Sequence, residues 1–587
     1  MKAGTEQIAR NHGRYVYLAL ALLTILGLAV RLTGLGHGLP HAPEPDAFLL
    51  DQVRLHHSGS IENRIDSDNY GKYPHLLSRL FALAPEPERA PQTLDEELEQ
   101  AAQPFLFGRL IVALLSVCLI PLTFFLARHF LSPWWAFTAA AFITTSLLHH
   151  SFSQQARPHG PLATFTVLGV LSLFALLRRP TLKRYLWAGI ACGLAVACLH
   201  NGAAILIPAL LAHLLATRNQ NLKSHLRALL PLAPIFLLLL LCYPFLFPDL
   251  RAHLPFVAVD QTGLLPTFPH AASNHWSDWV HGQGFGLMIE YLWSFDPALL
   301  VLFVGGIFVS IRSIRPTLDD GQRRLDLFVA AGYVLPYVLV LGAFDRTYER
   351  FLLPLLPFVA CFAAQALSAL TGTLPTNKRH QFGPAFVMIA LAFPALVVTR
   401  SALQRTQPDP ASELAAWIQT ELDPQVDRLI ATPIASYPLP FELKGDSARR
   451  ELGNHAKLPW PRFQSRVTRS DRNVFEITPM ALLPAEQPNA ISMRDSRADL
   501  RRRIQTSGCN WVVLRVRPGR AMYEVFVAVL SKLGTRVARF TAREDEHVRE
   551  DRGTDRALQV LRNDIHGPSH DVYRLDRLKP AGEVQKR

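Results

Sequence analysis

The chain has 587 residues, 49% of them hydrophobic, and a formal net charge of +13. That length is too great for one ordinary soluble core. Six cysteines give no disulfide framework, because Cys118, Cys192, Cys198, Cys242 and Cys361 fall inside apolar runs and only Cys509 lies in a polar region. The positive charge does not point to nucleic acid, since no basic patch carries interleaved aromatics and many Lys and Arg sit in short loops beside apolar runs.

In chain order, apolar stretches approaching 20 residues predict membrane-spanning helices, because lipid offers no partner to backbone N–H and C=O groups. Eleven are expected, near 15–32, 106–127, 134–151, 161–177, 185–200, 202–217, 228–247, 295–311, 325–343, 352–372 and 382–399. Residues 1–14 then form a cytoplasmic N-terminus and 15–400 a membrane module with two long outside connections, 33–105 and 248–294. The second connection carries Trp276, Trp279 and Trp293, residues suited to headgroup depth. With the N-terminus inside, the inside segments hold 17 Lys and Arg against four on the short outside connections. Positive charge accumulates on the cytoplasmic side, so this asymmetry sets the orientation, and an odd span count puts the C-terminal part outside.

Residues 401–587 read as a soluble α/β domain. "ASELAAWIQTEL" has helical spacing, and "DRLIATP", "CNWVVLRV", "RVARFTA" and "DVYRLDRL" read as strands. "AMYEVFVAVLSKLG" reads as a helix stopped at Gly534 by a left-handed turn. With no Gly-rich phosphate loop, zinc spacing or nucleophile elbow, this domain is expected to bind or position. The fold class is therefore a polytopic α-helical membrane protein with a C-terminal extracytoplasmic α/β domain. Arg-rich, Lys-poor usage and short loops favour a bacterial inner membrane over an endoplasmic reticulum.

The topology gathers polar groups at the outside face. Asp46 follows the first span, "HHSFSQQARPHG" joins spans 3 and 4, "LHNG" joins spans 5 and 6, and "FDRTYERFLLPLLP" joins spans 9 and 10. A carboxylate, Arg, His and Tyr at one depth suit a phosphate-bearing, partly lipidic ligand: Arg holds phosphate oxygens through paired hydrogen bonds, and a carboxylate takes a proton from a hydroxyl. Each group also has a plainer role. Asp46 opens a surface helix in "GLPHAPEPDAFLLDQ", and Arg157, Arg346 and Arg350 serve as headgroup anchors. His149, His150, His159 and His200 offer imidazoles, but no pair has the i, i+4 spacing of a helical metal site, so no cofactor is assigned and a divalent metal is the lesser reading.

The order of these stretches resembles the GT-C glycosyltransferases that use polyprenyl-phosphate sugars, in particular family 39, the protein O-mannosyltransferase and aminoarabinose transferase branch. The resemblance rests on "RLTGLGHGLPHAPEPDAF", "YPHLLSRLF", "GRLIVALLS", "SFSQQARPHGPLATF", "WAGIACGLAVACLHNGAAILIP", "YPFLFPD", "RFLLPLLPFVA" and "PDPASELAAWIQTEL", over roughly residues 15–430. It implies a polyprenyl-phosphate-sugar donor, a lipid, polysaccharide or protein acceptor, and single-step inverting transfer with Asp46 as general base. Donor contacts are expected from Arg157, Asn201, Tyr348 and Arg350, and from His159 and His200 as a site re-tuned with histidine. The chain departs from the family at three places: Ala47 follows Asp46 where a second acid is usual, His159 stands where an Asp follows the Arg, and Leu199 or His200 replaces a Lys. A carrier or flippase for a lipid-linked sugar, or a non-catalytic relative, is the competing expectation, although no pair of related halves and almost no intramembrane acid favours a carrier.

Overall fold

The computed structural model describes residues 2–40, 76–81, 83–85, 94–218, 233–234, 281–319, 321–345, 347–423, 425–432, 441–442, 475–479, 493–516, 521–542, 556–567 and 569–576. Asp46 and the expected span at 228–247 lie outside the described residues, as does almost all of the aromatic loop before residue 281.

The N-terminal two-thirds is helical. Its elements are α1 (Lys2–Leu32), α2 (Leu76–Phe81), α3 (Leu94–Val117), α4 (Leu119–Ala127), α5 (Pro133–Thr145), α6 (Leu147–Ser153), α7 (His159–Arg178), α8 (Leu182–Cys198), α9 (Leu206–Thr217), α10 (Gln283–Phe295), α11 (Pro297–Asp319), α12 (Gly321–Ala343), α13 (Leu356–Gly372) and α14 (Thr376–Gln404). Among the described residues, five segments are long and apolar enough to cross a membrane: Tyr15–Leu32, Ala102–Ala127, His159–Arg178, Gly321–Ala343 and Phe382–Gln404. Asn201–Thr217, Pro297–Arg312 and Leu356–Gly372 are shorter apolar helices. Their outward faces carry Leu18, Leu22, Ile25, Phe308, Ile311, Leu335, Leu339, Met388 and Ile389. An apolar exterior of this kind is what a bilayer solvates, and the protein is a multi-pass helical membrane protein.

Two expected spans are interrupted, and the join expected between the spans at 185–200 and 202–217 is wider than one or two residues. Between α3 and α4 the helix tightens at Cys118, because Pro121 has no N–H to give the Val117 carbonyl. At Ser146 the backbone turns extended (φ −69°, ψ 122°), separating α5 from α6 inside the stretch expected to run from 134 to 151. After α8, Leu199 is extended, and a 3-10 turn over His200–Ile205 leads into α9.

At one end of the bundle, Asp326 of α12 is 1% exposed. It accepts a hydrogen bond from Arg178 at 2.8 Å, meets His129 Nδ1 at 2.7 Å, and accepts from Gln322 at 3.1 Å. All four residues belong to segments that the charge count assigns to one side.

The C-terminal part begins with α15 (Pro410–Glu421), capped by Asp409, whose carboxylate accepts from the Ala411 and Ser412 amides with Pro410 in the first turn. Among the described residues a six-stranded sheet follows: β1 (Arg428–Thr432), β2 (Phe441–Glu442), β3 (Phe475–Pro479), β4 (Trp511–Arg515), β5 (Thr535–Phe540) and β6 (His570–Arg574), in the order β2-β3-β1-β4-β6-β5. The first four strands of that order run parallel, and β6 is antiparallel to both β4 and β5. Helices α16 (Met493–Thr506) and α17 (Ala521–Leu533) bury Leu500, Ile504, Val525, Phe526 and Leu530 against Ile430, Val512 and Leu514. Helix α17 does stop before Gly534, but Gly534 is not among the left-handed glycines. A Cβ there would lie 2.0 Å from the Arg574 carbonyl, so close approach of β6 is what requires glycine. Strands β2 and β3 were not expected from the sequence.

This part docks directly on the helical bundle. Helix α18 (Arg556–Arg562) lies against α14, where Arg400 donates to the Val560 and Asn563 carbonyls, both at 2.9 Å. The Arg556 amide donates to Ser294 Oγ at the end of α10, also at 2.9 Å.

Candidate functional site

The segments assigned to the opposite side also meet. Arg31, at the end of α1, is fully buried and gives its hydrogens to the Gly27, Ile143 and Thr144 carbonyls. It also donates to His149 Nδ1, 2.7 Å away. A guanidinium has no acceptor, so Nδ1 must accept, which makes His149 neutral with its proton on Nε2. One turn further along, buried Gln154 donates to the Arg31 and Thr33 carbonyls at 2.9 and 2.6 Å, while its oxygen accepts from Arg405 at the end of α14. Arg109, 1% exposed, donates to the Leu35 and His37 carbonyls at 2.8 and 2.7 Å. Arg109 and Gln154 thus tie down the backbone that leaves α1 over residues 31–37. Gly34 fits there because its φ is +70° and because a Cβ would meet Arg405 at 2.5 Å.

The C-terminal part completes this end. His37 and His566 meet edge to face, with ring centroids 5.1 Å apart. Burial, followed by Arg405 and Arg109, holds His37 well below the usual imidazole range. Burial, followed by Arg405, Arg556 and Arg109, does the same for His566.

The second half of the site forms around Phe351. A 3-10 turn over Glu349–Leu352 places Phe351 beside His159, the first residue of α7, with ring centroids 5.6 Å apart, and beside Tyr348 at 5.7 Å. The Arg350 guanidinium lies 4.3 Å from the Tyr348 ring and 5.3 Å from Phe351. Tyr337 donates to the Phe351 carbonyl at 3.1 Å and shares a side-chain hydrogen bond with Asn201. Arg157 and His159 are 8% and 6% exposed, and Arg157 lies 6.0 Å from the Phe152 ring. His159, Asn201, Tyr348 and Arg350 are therefore grouped about Phe351, with Arg157 in the turn that leads to His159. For His200 only the backbone is described, and Asp46 is outside the described residues. Among the described residues, no group of three or more His, Cys, Asp or Glu is placed to hold a metal ion.

Sequence reasoning did not assign Arg31, Arg109, Gln154, Asp296 or Arg405. Arg31, Arg109 and Gln154 lie inside quoted motifs, but their partners are mostly backbone carbonyls, which leave no mark in the sequence. Asp296 had a readable signal, since an acid opening an apolar run is costly unless it is used.

Arginines 31, 109, 157 and 405, all less than a tenth exposed, collect at this end, which gives it a positive character suited to an anionic group. Residues 103–247 match the profile of the dolichyl-phosphate-mannose-protein mannosyltransferase family. No curated relative matches the chain. Among solved structures, the apo Archaeoglobus fulgidus oligosaccharyltransferase aligns with a TM-score of 0.50 at 12% identity, over 88% of this chain and 71% of that one. ArnT from Cupriavidus metallidurans bound to undecaprenyl phosphate gives 0.45 at 16% identity, over 89% and 96%. The S. cerevisiae protein O-mannosyltransferase Pmt1-Pmt2 complex bound to the sugar donor gives 0.31 at 18%, over 42% and 35%. The molecule is thus a polytopic membrane protein with a GT-C type of fold. Within that class it resembles glycosyltransferase family 39, and the matched mannosyltransferase segment runs from α3 to residue 247.

Proposed function

We propose that the protein transfers a sugar from a polyprenyl-phosphate donor to a hydroxyl acceptor at the extracytoplasmic face of a bacterial inner membrane. The observation that carries this reading is the grouping of Arg157, His159, Asn201, Tyr348 and Arg350 at one end of a GT-C-type bundle, in a chain whose residues 103–247 match a family named for a polyprenyl-phosphate sugar. The N-terminus is cytoplasmic on this reading, supported by the charge asymmetry of the short connections. Residues 15–400 act as the catalytic module and 401–587 as a positioning domain.

Asp46 is the general base. It takes the acceptor proton as the hydroxyl oxygen bonds to the anomeric carbon and the bond from that carbon to the phosphate oxygen breaks, so configuration inverts in one step. Arg350 and Arg157 stabilise the charge that grows on the departing polyprenyl phosphate. Phe351 and Tyr348 supply an apolar and aromatic wall for the sugar. The acceptor is a lipid, a polysaccharide or a protein.

The test is incubation of the purified protein with polyprenyl phosphate carrying a labelled sugar, beside mass-spectrometric comparison of glycolipids, glycoproteins and surface polysaccharides with and without the gene. Label on an acceptor, and loss of one glycoconjugate without the gene, are the expected results. Movement of the labelled lipid across liposomes with no transfer product would replace the reading with that of a carrier.

A further inference from the structure

Asp296 is an acid in an apolar setting that the proposed chemistry does not use. It lies between α10 and α11 and is 2% exposed. One carboxylate oxygen accepts from the Leu147 amide at 2.8 Å, and the other from Ser146 Oγ at 2.6 Å and the Leu148 amide at 3.3 Å. These are the first groups of α6. Ser146 already caps its own helix by accepting from the His149 amide at 3.1 Å, so α6 is secured at its start by two caps, one of them supplied from about 150 residues away in the sequence.

The same carboxylate explains why the expected span breaks at Ser146. The stretch 134–151 is apolar enough to continue as one helix, and the extended Ser146 is stabilised because the amides freed there find a charged acceptor. Past the break, α6 carries His149 to Arg31 and Gln154 to Arg405, then turns through Arg157 to His159 beside Phe351. The α10–α11 corner is itself held from the far side, since Ser294 accepts from Arg556 of the C-terminal part.

We infer that Asp296 is a positioning residue of the transfer site: its carboxylate fixes α6 against the α10–α11 corner and so sets the turn through Arg157 that brings His159 beside Phe351. The inference rests on the proposed transfer reaction for its functional meaning, but not for its structural content. An amide in place of the carboxylate keeps the shape while losing the charge, and its N–H₂ group faces either the Leu147 or the Leu148 amide hydrogen.

Three variants in the full-length protein test this: Asp296→Asn, Asp296→Asn combined with Ser146→Asp, and Asp296→Glu. The readouts are kcat and donor KM with a labelled polyprenyl-phosphate sugar, together with hydrogen–deuterium exchange of peptides covering 147–159 and 376–404. Asp296→Asn should lower kcat at least tenfold and raise exchange in 147–159 while leaving 376–404 protected. Adding Ser146→Asp restores a charged cap on α6 but not the tie to the corner, so kcat should stay low. Recovery of kcat in that double variant would reduce Asp296 to a helix cap and overturn the inference, as would wild-type kcat and exchange in Asp296→Asn. If Asp296→Asn fails to fold, Asp296→Glu carries the test: it keeps the charge on a longer arm, and a changed kcat with unchanged donor KM is expected, whereas wild-type kcat and exchange would overturn the inference. A wild-type protein that transfers no sugar would defeat the proposed reaction alone, and the exchange of 147–159 would still decide whether Asp296 holds that segment.

Discussion

Gln154 should be the most sensitive side chain in the candidate site to simple truncation. It is fully buried, and Gln154→Ala removes its bonds to the Arg31 and Thr33 carbonyls and its acceptance from Arg405. Two neutral hydrogen bonds contribute about 1 kcal/mol each, and one to a charged group about 2, so the expected loss is about 4 kcal/mol before any cavity is counted. The Arg405 part can be isolated. A double-mutant cycle between Gln154→Ala and Arg405→Ala should give a coupling of about 2 kcal/mol. Unfolding of the purified protein in mild detergent by added SDS measures the stabilities, and hydrogen exchange of a peptide spanning residues 31–40 reports whether the backbone leaving α1 has been released. A loss below about 1 kcal/mol, or additivity within about 0.5 kcal/mol, would refute the view that Gln154 ties α1, α6 and α14 together.

Other outcomes follow from the same geometry. His37 and His566 are held neutral in the folded protein, so below their ordinary value of 6.5 the unfolded chain binds more protons. Stability is therefore expected to fall as pH drops from about 6.5, by up to about 1.4 kcal/mol per pH unit for each ring. Melting between pH 7.5 and 5.5 checks this, and His37→Gln with His566→Gln should flatten the dependence. Asp326→Asn should cost about 2 kcal/mol in the SDS assay through loss of the Arg178 and His129 contacts, and an unchanged midpoint would count against that cluster as a clamp. Arg350→Ala should raise donor KM about tenfold or more if its guanidinium holds phosphate, while an unchanged KM would make it only a partner of the Tyr348 ring.

The long apolar helices among the described residues were legible because a bilayer demands long apolar runs, and β1, β4, β5 and β6 were legible as short runs containing β-branched or aromatic residues. What escaped was non-local. The break at Ser146 lies within an apolar stretch and depends on a carboxylate at position 296, so no window around Ser146 could show it. Strands β2 and β3 are two and five residues long, and their pairing supplies more of their definition than their composition does. Gly534 was read as a turn residue because that is the commonest reason for glycine after a helix, whereas here Arg574 backbone occupies the space of a side chain. Arg157, His159, Asn201, Tyr348 and Arg350 were expected from the topology and the family resemblance, and the grouping of His159, Asn201, Tyr348 and Arg350 about Phe351 came only with the fold. Arg109 and Gln154, which hold mostly backbone carbonyls, left no mark in the sequence.

The central claim is that Asp46 acts as the base in sugar transfer from a polyprenyl phosphate. Single-turnover transfer of a labelled sugar by the purified protein, comparing wild type with Asp46→Asn, tests it most directly. The account predicts a rate reduced about 10²- to 10⁴-fold with donor binding retained, and an inverted anomeric centre in the wild-type product. Full activity in the variant, or a product of retained configuration, would contradict it.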